Sequence, residues 1–125
     1  MSNGFVFVAM IFCHIVDDYY LQGILASLKQ KTWWEKHDSF YQYDYIAALI
    51  CHGLSWAFMV MLPIAISLNF QITGEFIIFW FIMAMTHAYI DDLKANIRSI
   101  NLCHDQLLHL CQIVIIFIAY FTGIF

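Results

Sequence analysis

Proline occurs once in this 125-residue chain and glycine only five times, with no low-complexity run anywhere. That shortage leaves no stretch suited to a flexible linker, and the length allows one compact unit covering residues 1–125. Charge is scarce as well. Charged residues make up 11% of the chain and hydrophobic ones 63%, where a soluble domain carries about 25% and 45–50%. With five basic residues and a net charge of -4, no basic surface is available for nucleic acid. Four cysteines are present, but Cys13, Cys51, Cys103 and Cys111 all lie inside hydrophobic segments. That placement argues against a disulfide framework and for small buried hydrophobes. The opening "MSNGFVFVAM" has neither a basic flank nor a small-residue cleavage site, so the first hydrophobic segment is expected to stay in the mature protein.

What the sequence does have is long apolar runs, and its mean hydropathy is +0.76. Four of them approach the length of about 20 residues that crosses a bilayer. They are expected to be helices at about 4–28, 45–68, 76–96 and 103–125, with Pro63 as a kink in the second. The fold class is therefore an all-α, integral membrane four-helix bundle. Lys29, Lys31 and Lys36 follow the first run, and Lys94 and Arg98 follow the third. In an antiparallel bundle both groups fall at one end, which the positive-inside rule makes cytoplasmic. Both termini are then external, in the cytoplasmic (inner) membrane of the cell. Residues 29–44 hold Trp33, Trp34, Phe40, Tyr41 and Tyr43; they are expected to lie at the headgroup level as an anchor.

The polar residues that interrupt these runs are not scattered. His14 and Asp18, His87 and Asp91, and Asp105 and His109 are each four residues apart. That spacing puts both side chains of a pair on one helix face. His52 adds an imidazole on the second helix. Counting along the four helices brings all seven groups into one layer in the cytoplasmic half. A charge near the bilayer centre costs at least about 2.5–3.5 kcal/mol on insertion scales. Its repetition needs a reason. Imidazoles and carboxylates on facing helices form a metal-ligand inventory, by the logic of di-metal four-helix bundles. Polar packing between helices and a bis-His haem are the competing explanations. Three pairs converging on one layer favour a divalent metal, Zn²⁺ first, then Mn²⁺ or Fe²⁺.

The neighbours of these residues leave two readings open. Asp17 and Asp92 are either bases beside the ligands or carboxylates turned to the headgroups. Lys94 is placed either to hold an anionic substrate group or to snorkel. Gln22 and Gln106 fit hydrogen bonding to ligands. His37 and His104 are expected at the interface with no role.

The segments "HIVDDYYLQ", an isolated His52, "HAYIDDLK" and "DQLLH" together resemble H-x-x-x-D-x-x-L-Q … H … H-x-x-x-D-x-x-K … D-Q-x-x-H. That is the pattern of a bacterial and phage membrane family, domain of unknown function 3307. The resemblance spans nearly the whole chain and implies His14, Asp18, Gln22, His52, His87, Asp91, Lys94, Asp105, Gln106 and His109 as the site. Asp17 and Asp92 stand outside the pattern. A more distant similarity runs to families described as membrane-bound metal-dependent hydrolases. The expected function is accordingly a metal-dependent hydrolase acting on a phosphate-bearing lipid or nucleotide from the cytoplasmic side. Asp17, Asp92 and Lys94 would handle proton and phosphate, and membrane lipids would be the partners. A homo-oligomer is compatible with this. The alternatives are a holin-like or partner-binding membrane protein with a structural metal, and a metal or proton transporter.

Overall fold

The computed structural model describes residues 2–125, and the described residues are helical, with no strand among them. Four helical stretches are long and apolar enough to cross a membrane: Asn3–Leu21, Ser39–Ser67, Gly74–Ile97 and Leu102–Phe121. The first is α1 (Asn3–Ile15), continued by a wide π turn over Val16–Leu21. Two short helices follow, α2 (Leu25–Leu28) and α3 (Lys31–Trp34), and then a 3₁₀ turn over Ser39–Tyr41. The long α4 (Asp44–Ser67) runs on through Pro63. A tight turn leads to α5 (Gly74–Asp92), which ends in a second π turn over Leu93–Ile97. α6 (Leu102–Phe121) closes the bundle.

Local chemistry sets these ends. Ser2, Thr73 and Asn101 each accept a hydrogen bond from a backbone N–H in the first turn of α1, α5 and α6, satisfying one of the donors a helix start leaves free. The first helix is not the single element expected over residues 4–28. It stops at Leu21, because Gly23 takes a positive φ of 51°, the left-handed conformation glycine adopts without strain. The other three helices fall within a few residues of the expected ranges, except that α6 ends at Phe121. Residues 29–44 hold α3, the 3₁₀ turn and the connections around them, with Phe40, Tyr41 and Tyr43 exposed.

α4 touches all three other long helices. Its closest approach is to α5, at Gly53. A Cβ there would lie 2.3 Å from the Ala84 carbonyl oxygen, so a hydrogen at this position is what lets the two backbones meet. The half of the bundle near the termini is apolar, built on Val6, Met10, Val60, Ile64, Phe76, Ile113 and Ile116. The other half carries the histidines and aspartates. All four cysteines are free, and Cys51, Cys103 and Cys111 are exposed on the outer surface instead of buried as expected. Large apolar side chains such as Phe12, Phe58, Ile78 and Ile118 are exposed on the outer surface too.

Candidate metal centre

The π turn after α1 decides how the first polar segment is presented. In an α-helix, neighbours such as Asp17 and Asp18 point about 100° apart. A π turn fits more residues into each turn and recurs at functional sites. Here both carboxylates face inward, with Asp17 1% exposed and the Asp18 side chain 6%. The Gln22 side chain donates to the Asp18 backbone oxygen at 2.7 Å. It therefore braces the turn through the backbone and hydrogen-bonds to none of the expected ligand side chains.

Four helices then bring their ligand atoms together. His52 Nε2 stands 3.2 Å from Asp18 Oδ1 and 3.5 Å from Asp91 Oδ2. His87 Nε2 stands 3.7 and 3.8 Å from the same two oxygens. Ligands at about 2.0–2.2 Å from a tetrahedral ion lie about 3.3–3.6 Å from one another. Asp18, His52 and His87 each offer a ligand atom within 4.8 Å of the other two, and Asp91 Oδ2 stands at the edge of that group beside both imidazoles. A second group, His87, Asp91 and His109, also has its ligand atoms within 4.8 Å of each other. His109 Nε2 lies 3.4 Å from Asp91 Oδ1 and 3.3 Å from Asp105 Oδ1.

Hydrogen bonds fix which ring nitrogens are free. Gln112 donates through Nε2 to the Met83 carbonyl, so its Oε1 faces His109 Nδ1 at 3.3 Å and accepts from it. His109 Nε2 is then a lone pair turned towards two carboxylate oxygens. That arrangement is stable with a cation, a proton or a metal, between them. His87 is fully buried, and neither of its ring nitrogens has a hydrogen-bond partner. An unsatisfied buried polar group costs about 1–3 kcal/mol. Its ring is held between Trp56 and His109, at centroid distances of 4.2 and 4.1 Å. Asp17 Oδ2, Asp105 Oδ1 and His109 Nε2 are likewise buried without a hydrogen bond.

His14 sits beside the cluster instead of within it. Trp56 donates to its Nδ1 at 2.8 Å, so its Nε2 carries the proton and donates to Gln106 Oε1 at 3.1 Å. With both nitrogens engaged, His14 orients its neighbours in this structure and offers no ligand atom. Gln106 donates in turn to Asp105 Oδ2 at 3.0 Å, linking α1 to the carboxylates. Asp17 accepts from Ser55 at 2.6 Å, and its other oxygen stands 3.6 Å from His52 Nδ1. Asp92 is placed away from the cluster, where it accepts from Asn96 at 2.7 Å. The His37 ring donates from Nδ1 to the Trp33 carbonyl at 3.0 Å, and His104 is exposed.

Two lysines complete the electrostatics. Lys94 pairs with Asp105 at 2.5 Å. Lys29, read from the sequence as a loop cation, is buried and pairs with Asp91. Asn96 puts it there: its amide donates to the Lys29 carbonyl at 2.9 Å and its oxygen accepts from Lys31 N–H at 2.7 Å. The two basic loops therefore meet at one end of the bundle, as the antiparallel arrangement requires. With neutral histidines, the carboxylates of Asp17, Asp18, Asp91 and Asp105 against the ammoniums of Lys29 and Lys94 leave a local charge of −2. Burying uncompensated charge of that size is strongly unfavourable.

Fold and site together define an all-helical bundle of four apolar helices enclosing His/Asp groups that could hold a metal ion. Residues 6–124 match the model of a protein family of unknown function, DUF3307, and the chain belongs to that family. The resemblance read from the four motifs is borne out to that extent, and the family brings no activity with it. No curated protein and no solved structure matches the chain.

Proposed function

We propose that this is a multi-pass membrane metalloprotein that hydrolyses a phosphate-bearing substrate with one divalent ion. The carrying observation is that the ligand atoms of Asp18, His52 and His87, and likewise those of His87, Asp91 and His109, converge to within 4.8 Å of one another. With the histidines neutral, the charge of −2 around them is balanced by a single divalent cation. Zn²⁺ suits imidazole and carboxylate best, with Mn²⁺ or Fe²⁺ next. A bound ion of this kind supplies a nucleophilic water near neutral pH and polarises the oxygen under attack.

The chain's own residues do the rest. Asp17 holds the far side of His52 and is sealed behind it, which makes it a positioning residue. Asp92, tied to Asn96, is too far removed to take a proton in the cluster. Asp105, whose Oδ1 is free of hydrogen bonds beside His109, takes the proton instead. The Lys94 side chain is one-third exposed and meets the anionic group. All five basic residues stand at the end of the bundle where the cluster lies, so the positive-inside rule turns that end to the cytoplasm and both termini outward.

Transport is disfavoured because the other half of the bundle is an apolar core from Met10 to Ile116, with no polar path through it. A structural ion in a non-enzymatic membrane protein draws on one observation: His52, His87, Asp91 and His109 are each at most 2% exposed. That reading expects metal without turnover.

The test is metal analysis of the detergent-purified protein beside its His87→Ala variant, followed by phosphate release from phospholipids, isoprenoid phosphates and nucleotides. One equivalent of metal, lost in the variant, with metal-dependent release supports the proposal. A metal-free native protein overturns it, and metal without release from any substrate leaves the structural reading.

A further inference from the structure

The buried ligands raise the question of how a substrate reaches them. A groove of about 540 Å³ opens between α1 and α6, within the range of about 300–1,000 Å³ that small-molecule sites span. It lies on the flank of the bundle, among residues of the apolar spans, and not at the loop end. Ile11, Ile15 and Leu110 give it apolar walls, and Tyr19 and Tyr20 border it towards the loops. Its polar lining is His14 and Gln106. These two are hydrogen-bonded to each other, and Gln106 also donates to Asp105 Oδ2 at 3.0 Å and approaches Asp18 Oδ2 at 3.5 Å. One amide side chain therefore separates the groove from two carboxylates of the cluster.

The groove is polar where it meets the cluster and apolar along the rest of its walls. A soluble nucleotide offers nothing for the apolar walls. An amphiphile offers a match at both ends. We propose that the α1–α6 groove is a lateral entrance for a membrane lipid, whose hydrocarbon chain lies along Ile11, Ile15 and Leu110 while its phosphate-bearing head reaches Gln106. The assignment rests on the reading of the cluster as a reaction centre and narrows the substrate from any phosphate compound to a lipid of the surrounding bilayer. Gln106 is the hinge of the entrance. Turning its side chain away breaks its bonds to His14 and Asp105 and opens the way from the head group to the ligands.

The full chain is reconstituted in phosphatidylcholine–phosphatidylglycerol vesicles doped with a phospholipid carrying a diazirine on its acyl chain. Irradiation is expected to label Ile11, Ile15 and Leu110 several-fold above Ile78 and Ile115, which are more exposed but lie outside the groove. Even labelling over all five positions overturns the proposal. In parallel, Ile15→Trp and Leu110→Trp, each filling the groove from one wall, should lower phosphate release from lipid by about tenfold or more. Metal content should stay unchanged. Unchanged lipid turnover in both variants overturns the groove while leaving the hydrolase reading intact. Concentrated labelling with no turnover of any substrate keeps the lipid site and removes the hydrolase.

Discussion

Lys29 and Asp91 stand 62 residues apart in the chain and form a buried ion pair, both side chains almost wholly shielded. The ammonium lies on the same carboxylate oxygen that approaches His52 and His87. A metal ion held at the cluster would therefore compete with the Lys29 ammonium for Asp91. Removing one partner of a buried pair destabilises by about 3–5 kcal/mol, so Lys29→Ala should lower the thermal midpoint of the metal-free protein. The same variant should gain more from added Zn²⁺ than the wild type does. Thermal unfolding in detergent with and without metal measures both effects, and equal metal responses would contradict the competition.

Gly53 controls the approach of α4 to α5. Gly53→Ala places a methyl group against the Ala84 carbonyl, which must force the helices apart. Overpacking of this kind costs about 1–3 kcal/mol. His52 is the next residue and His87 is three residues beyond Ala84, so metal affinity should fall along with stability. Gly4→Ala, with nothing within 4 Å of the new carbon, is the control and should change neither.

Asp17 and Asp18 are neighbours with different tasks. Asp18 turns one oxygen towards both His52 and His87, so Asp18→Asn should abolish metal retention. Asp17 supports His52 from behind, and removing such an outer partner typically weakens metal binding by about 10–100-fold. Competition titration with a chromophoric chelator separates the two outcomes. Identical affinities for both variants would remove the distinction drawn here.

The orientation has its own check. An impermeant thiol reagent applied to intact cells should label Ser2→Cys and leave Lys31→Cys unlabelled. The reverse pattern would place the basic loops outside and invert the assignment.

Much of this arrangement was legible in the sequence, because the relevant information is periodic. Spacing of four residues in His14/Asp18, His87/Asp91 and Asp105/His109 is enough to put each pair on one face, and counting residues from the basic loops puts the pairs at one depth. What periodicity cannot show is a change of period. The π turn over Val16–Leu21 rotates Asp17 into the interior, while straight α-helical phasing holds it about 100° from Asp18. Gly23 marks that change locally, and a glycine so close to two carboxylates was the available signal. Lys29 was missed for a different reason. Its burial depends on Asn96, 67 residues away, and no local pattern encodes a loop folding back over the end of a bundle. The engagement of His14 by Trp56 and Gln106 is of the same kind: its ligand capacity is used up by partners on two other helices.

The order of the charged residues along the chain has a consequence for biogenesis. Lys29 precedes Asp91 by 62 residues, and Lys94 precedes Asp105 by 11. Each of these carboxylates leaves the ribosome after its cation. Asp17 and Asp18 have no such head start, since Ser55 and His52 follow them by 38 and 34 residues. The N-terminal helix must wait with two carboxylates unpartnered until α4 emerges, whereas the last two helices arrive to find their counter-ions already in position.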